Sequence, residues 1–423
     1  MNFFKKLKAG ALQYVLAISI IIALVLFAFI SLVYLQQKLQ TKNSFFKEAV
    51  LNVQFGFNSL ASTALSYNEV KELQVSDNVQ EKTSLLKKHW GVFDLATVSS
   101  TVKNEHFSKT AILGNHNLKR EALYLQETYA RLILVGNSKI VGNVSLPKQG
   151  ISTGNIAGTS FNGDKLFYGN RKTSTKTLPE IANSEYLKSL LRLNFLNNNT
   201  SFFELNDGLK KQQSFTDATL VNTNNGHLYL SNISLKGNII LHSSTKITVR
   251  ASAVLEDVIL IAPEVEIKSN VKGNFQVFSS KKIQVEKNCQ LAYPSALVLL
   301  NKQQQSTNTN NKDKILIQID TNSSVKGIVL FKQESLKNTI NFTPQIRIAK
   351  GSTITGDVYC NKNLELLGSV FGSVYTSKFI TLQFGSTYTN HIYNGVINNA
   401  KLPKQYCGLS FKNPKLKVAK WVY

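Results

Sequence analysis

The strongest constraint on the fold is a repeat that, where uninterrupted, returns every 16–19 residues, an interval too short for a pair of helices. Its core is apolar-x-Gly-x-apolar. It occurs as Ile140-Val-Gly142-Asn-Val144, Leu235-Lys-Gly237-Asn-Ile239 and Val271-Lys-Gly273-Asn-Phe275. It continues as Val325-Lys-Gly327-Ile-Val329, Ile354-Thr-Gly356-Asp-Val358 and Val370-Phe-Gly372-Ser-Val374. Two copies replace the glycine, Val254-Leu-Glu256-Asp-Val258 and Tyr388-Thr-Asn390-His-Ile392. A second column, apolar-x-apolar, repeats about eight residues later: Ile247/Val249, Val265/Ile267, Ile283/Val285, Ile317/Ile319, Ile346/Ile348, Leu364/Leu366 and Ile380/Leu382. Alternation with period two specifies strands. Strands recurring at this interval, turned by Gly, Asn and Ser, predict a right-handed parallel β-helix whose coils stack about 4.8 Å apart. One coil cannot bury its own apolar face, so Lys302–Lys312 and Gln333–Phe342 are expected to loop out of the stack.

The second constraint lies at the N-terminus. Ala11–Leu35 carries no charge, with only Gln13, Ser19 and Ser31 clearly polar. As a helix it is about 37 Å long, enough to cross a hydrocarbon core of about 30 Å with tilt. The run exceeds the apolar region of a cleaved secretory signal, and no small-x-small site follows it at Ile30–Gln37. Residues 11–35 are therefore expected to sit in membrane lipid. Lys5, Lys6 and Lys8 in an acid-free head favour a cytoplasmic N-terminus, with Lys38, Lys42 and Lys47 weakening the bias from the other side. The long C-terminal part is expected outside the cytoplasm, in the periplasm or at the cell surface.

The head itself, MNFFKKLKAG, is a short basic leader ending in Gly10 directly before the apolar run. It resembles the leader of type IV prepilins and type II secretion pseudopilins. The resemblance covers about 35 residues and implies cleavage between Gly10 and Ala11, a filament-packing helix, and partner subunits of a pilus or secretion machine. The acidic fifth residue usual in the mature helix is replaced by Val15, which points to a minor subunit. A plain signal anchor is the alternative. The repeats from about Leu235 to Asn394 resemble the short-coil β-helices of bactofilin-like proteins, which implies a scaffold without catalysis.

Between anchor and repeat, residues 36–135 read as a small α+β region. A helix should continue to about Leu73, with Phe46, Val50, Val53, Phe57, Leu60, Ala61 and Ala64 at spacings of three and four. An antiparallel meander should follow, with arms Gly91–Val102, His106–Leu113, Ala122–Gln126 and Arg131–Val135. Residues 136–226 read as a first coil interrupted by an insertion with one helix near Pro179–Leu196. The β-helix proper is assigned to 227–400. The basic tail, 401–423, is expected to cap its open end.

The chain has 423 residues and 49 Lys+Arg against 25 Asp+Glu, a net charge of +24. Such a field suits an acidic polymer such as DNA or an acidic glycan, and equally suits an exported lysine-rich protein with no such ligand. Catalytic carboxylates are sought because some β-helices cleave polysaccharides. In the second column the outward positions are Thr248, Glu266, Gln284, Gln318, Arg347, Glu365 and Thr381. Glu266 and Glu365 then lie about four coils or roughly 19 Å apart, as do Asp257 and Asp357, too far for a glycosidase pair. Arg347 should pair with Glu365 at the surface. The six histidines form no HxxxH or HxH, and Cys289, Cys360 and Cys407 form no CxxC. No catalytic, cofactor or metal residues are assigned, and no small-molecule substrate is expected. At most one disulfide can form.

One outward column ends in Tyr359, Tyr375 and Tyr393, an aromatic ladder that either docks a partner or packs beneath another part of the chain. The leading functional expectation is a membrane-anchored, extracytoplasmic structural or assembly protein, in its finest form a minor pilin-like subunit. The alternative is a surface adhesin for acidic glycan or DNA. A carbohydrate-active enzyme is the remote third.

Overall fold

The computed structural model describes residues 10–60, 65–75, 81–192, 200–302, 315–334, 342–412 and 414–422. The leader up to Ala9 and most of the loop expected at Lys302–Lys312 lie outside them, as does much of Gln333–Phe342. A long N-terminal apolar helix precedes a mostly β region that contains a large parallel sheet. The chain divides into two compact units, the first of residues 1–59, 70–85 and 98–109 and the second of 60–69, 86–97 and 110–423.

In the first unit, helix α1 runs unbroken through Gly10–Ser59, 50 residues. Its buried residues, Ala49, Asn52, Val53, Gly56 and Phe57, all fall in its last turns. There Phe46 meets Phe107 edge-on with ring centres 5.7 Å apart. A side chain at Gly56 would collide with Val98, so the glycine permits close approach of helix and strand. The helix stops at Ser59, short of the expected Leu73, and Val70–Leu73 is a strand. Gly56, Asn58 and Ser59 are weak helix formers that loosen the last turn. Ala61 and Ala64 lie outside the described residues. The strands Glu81–Trp90, Phe93–Val102 and Glu105–Asn115 each run through both units, and no pattern in the sequence marked the first of them as a strand.

In the second unit the repeat forms long parallel ladders. The second column is in the expected register: Ile247 is opposite Val265, then Ile283, Ile317, Ile346 and Leu364. All of these are buried. The glycine column also aligns, with Gly327, Gly356 and Gly372 on successive strands. Three features differ from expectation. Asp257 is an extra residue in a bulge, with φ 58°, so Leu255 takes the inward place and Val254 is 57% exposed. Ile380–Gln383 leaves the column and pairs antiparallel with Ser386–Thr389; Thr381 is therefore buried and donates to the His391 carbonyl at 2.8 Å.

The third difference concerns order. Ile140 does not neighbour the Leu235 copy but lies opposite Ile397, which in turn lies opposite Val370. The early copy thus adds to the far end of the ladder. Leu123–Leu125 joins the same end, parallel to Ser369–Gln383 and to Val144–Leu146. Leu132–Val135 lies parallel to His391–Tyr393 and Ile151–Thr153. Both segments were expected in an antiparallel meander. Helix α2 is shorter than expected, Ser184–Leu191. The tail forms an edge strand, Leu416–Val422, antiparallel to Thr110–Asn115, where a cap on the ladder was expected.

Candidate functional site

The most exposed feature of the first unit is the stem of α1. Every residue from Ala11 to Gln40 is exposed, and its most apolar 18-residue window has a mean hydropathy of 3.1 with none of it buried. Among the described residues this is the one helix long and apolar enough to cross a membrane. One of its few polar groups is muted: Ser19 donates its hydroxyl back to the Val15 carbonyl at 2.8 Å. Gly10 and Ala11 form the first described residues of the helix, and their relation to the leader lies outside the described residues. An apolar surface of this extent is stable only in lipid or against other apolar helices.

Beyond the stem, α1 and the turn after Val102 enclose an open groove of about 470 Å³, lined by Tyr34, Lys38, Lys42, Phe45, Lys103 and Glu105 among others. Lys42 faces Glu105 at 3.8 Å and Lys103 lies over the Phe45 ring.

The tyrosine ladder is largely covered. Tyr359 and Tyr375 are opposite each other and buried, with Phe411 of the tail packed on both. The Tyr359 hydroxyl donates to the Pro179 carbonyl at 3.3 Å. Burial pushes its phenol up to about 12. The tyrosine that follows Tyr375 across the ladder is Tyr124, whereas Tyr393 lies opposite Val135. The three residues singled out from sequence are therefore not one column.

Several acids of the parallel region are engaged in ion pairs. The Arg120 guanidinium donates to both Asp357 oxygens at 2.9 and 3.0 Å and to the Asn115 carbonyl at 2.7 Å. Leu409 N–H donates to Asp357 at 2.8 Å, and the Tyr406 hydroxyl bridges Asp357 N–H and the Gly327 carbonyl. Burial lowers the Arg120 pKa, but Asp357 more than compensates and holds it above its ordinary value. The network joins the tail segment Tyr406–Leu409 to the middle of the glycine column. Glu365 is wholly buried, not at the surface as expected; Arg347 pairs with it at 2.6 Å and Leu382 N–H donates to it at 3.0 Å. Of the tail lysines, Lys412 pairs with Glu180, and Lys420 with Glu256 and Asp257. No sequence pattern announced the Arg120–Asp357 pair, whose members are separated by 237 positions.

Cys289, Cys360 and Cys407 are free and buried. Burial pushes the thiols of Cys360 and Cys407 up to about 12 and about 11, far from the thiolate a nucleophile needs. Among the described residues no three His, Cys, Asp or Glu side chains gather as metal ligands.

No protein-family model matches the chain, and no curated protein matches it. Among solved structures, the competence-associated pilin ComZ from Thermus thermophilus aligns over 84% of this chain and 86% of that chain, at 10% identity. The TM-score is 0.19, at which the alignment carries no argument about fold or function.

Proposed function

We propose that this chain is a membrane-anchored, non-enzymatic structural subunit whose apolar stem packs in lipid and then beside partner helices, in the manner of a minor pilin. The observation that carries the reading is α1: one unbroken helix whose first thirty or so residues bury nothing within the chain and whose last turns bury a defined face. An anchor and a folded region are thereby joined by a continuous rod. The basic head before Gly10 supports an N-terminus left in the cytoplasm and the rest outside it. The parallel ladders, which take strands from most of the repeats, support winding of the second unit as a β-helix scaffold.

The test is mass spectrometry of the N-terminal peptide from native membranes, after alkaline extraction. The expected result is retention in the membrane and a new N-terminus at Ala11. An intact leader in cells with an active prepilin peptidase would remove the pilin-like reading and leave an anchored scaffold. Release of the chain by alkaline extraction would remove the anchor as well.

A further inference from the structure

Lys420, Asp257 and Glu256 form a group for which the proposed function has no use. The Lys420 amine lies 2.6 Å from Asp257 Oδ2 and 3.1 Å from Glu256 Oε1. Asp257 sits in the bulge described above, its N–H held by Asn274 Oδ1 at 2.6 Å. Lys420 follows a second bulge, between Val418 and Lys420 of the tail strand. Bulges re-aim side chains, and these two aim the amine and the carboxyl at each other.

The pair is unlike the other lysine–carboxylate pairs among the described residues. In those the carboxylate side chain is 19–85% exposed, whereas that of Asp257 is 3% exposed. Its second oxygen, Oδ1, is buried without a hydrogen-bond partner. A charge held there forgoes solvation on one side. We infer that Lys420 and Asp257 are joined by an intramolecular isopeptide bond, with Glu256 as the proton acceptor beside them.

The environments separate the two acids in the sense the reaction needs. Burial raises the Asp257 carboxyl above its ordinary value, favouring the neutral electrophile. Burial acts on Glu256 as well, but Lys420 and then Lys236, whose amine lies 3.2 Å from Oε2, outweigh it and hold Glu256 ionised. Neighbouring carboxyls pushed apart in this way divide into acid and base. The Lys420 ammonium gives a proton to the Glu256 carboxylate, and the freed Nζ lone pair attacks Cγ of protonated Asp257. The C–N bond forms, the C–OH bond breaks, and the hydroxyl leaves as water with a second proton from nitrogen. Glu256 ends protonated and returns its proton to solvent. Nothing is oxidised or reduced. The product ties the last strand covalently to the parallel region across 163 positions of sequence and leaves a neutral amide in the dry site.

The test is the mass of the purified full chain, with a peptide map so that N-terminal processing is read separately. The expected mass is lighter than the sequence by one water, and the map should contain a branched peptide joining Lys420 to Asp257. Lys420→Arg should restore the full mass, Asp257→Asn should lose ammonia in place of water, and Glu256→Gln should leave most of the chain unjoined. A wild-type chain at full sequence mass overturns the proposal. So does a water loss that survives in Lys420→Arg, because it then arises from another dehydration such as a succinimide.

Discussion

At the scale of single residues, the glycine column leaves the least freedom. Gly356 and Gly372 have φ of 146° and 157°, and a Cβ on either would press into the carbonyl oxygen of the glycine on the preceding strand. That oxygen belongs to the backbone and has nowhere to retreat. Gly372→Val should lose about 1–3 kcal/mol or more in chemical denaturation. Thr381→Val is expected to cost about 1 kcal/mol, because the His391 carbonyl loses its donor in a buried place. Val254→Thr, at an exposed position, should stay within about 0.5 kcal/mol of the parent. The reverse ranking would overturn the register of the glycine column and of the Val254 bulge. Asp357→Ala is a different kind of loss, since it strands the buried Arg120 charge. The expected cost is about 3–5 kcal/mol, and replacing both partners by apolar residues of similar volume should cost less than the single change.

At the scale of elements, ion pairs run from strand to strand, Lys246 to Glu266 and Lys268 to Glu286, and Glu266 meets Lys268 at the end of one strand to link them. Burial raises the pKa of Glu266 and of Glu286, but their lysines, joined at Glu286 by donors of Ser269, outweigh it and leave both below the ordinary 4.5. A depressed carboxyl stabilises the fold above its unfolded pKa, and that contribution disappears as pH falls through the lower folded value. Denaturation at pH 7 and stepwise below 4.5 should therefore show stability lost on acidification, and Lys268→Gln should flatten that slope. A slope unchanged in the variant would deny these pairs a role.

The same strands show what the sequence could reveal. The second column was readable because Ile247/Val249 through Leu364/Leu366 alternate strictly and both inward positions are apolar. The bulge was not, since Val254-Leu255-Glu256-Asp257-Val258 offers two apolar residues to one inward place and the choice depends on Asp257 adopting a positive φ. The stacking of Ile140 on Ile397 was invisible for a different reason. Periodicity marks which segments are alike, not which of them become neighbours. Misplacing that end is also what put Tyr393 after Tyr375 where Tyr124 stands.

At the scale of the whole molecule, the apolar stem and the folded region ask for different surroundings. The stem offers lipid or other helices a surface with no charge from Ala11 to Leu35, whereas the buried residues of α1 begin only at Ala49. A chain lacking residues 1–41 keeps every buried contact of the helix and discards the part that needs a membrane. It is expected in the supernatant after high-speed centrifugation, where the full chain sediments with membranes. Its thermal midpoint should match that of the full chain in detergent, because none of the described residues removed, 10–41, is buried in the chain. A lower midpoint would show that the stem stabilises the fold. Sedimentation of the shortened chain with membranes would show a second attachment, and the basic surface that accompanies a net charge of +24 is where it would be sought, by repeating the centrifugation in high salt.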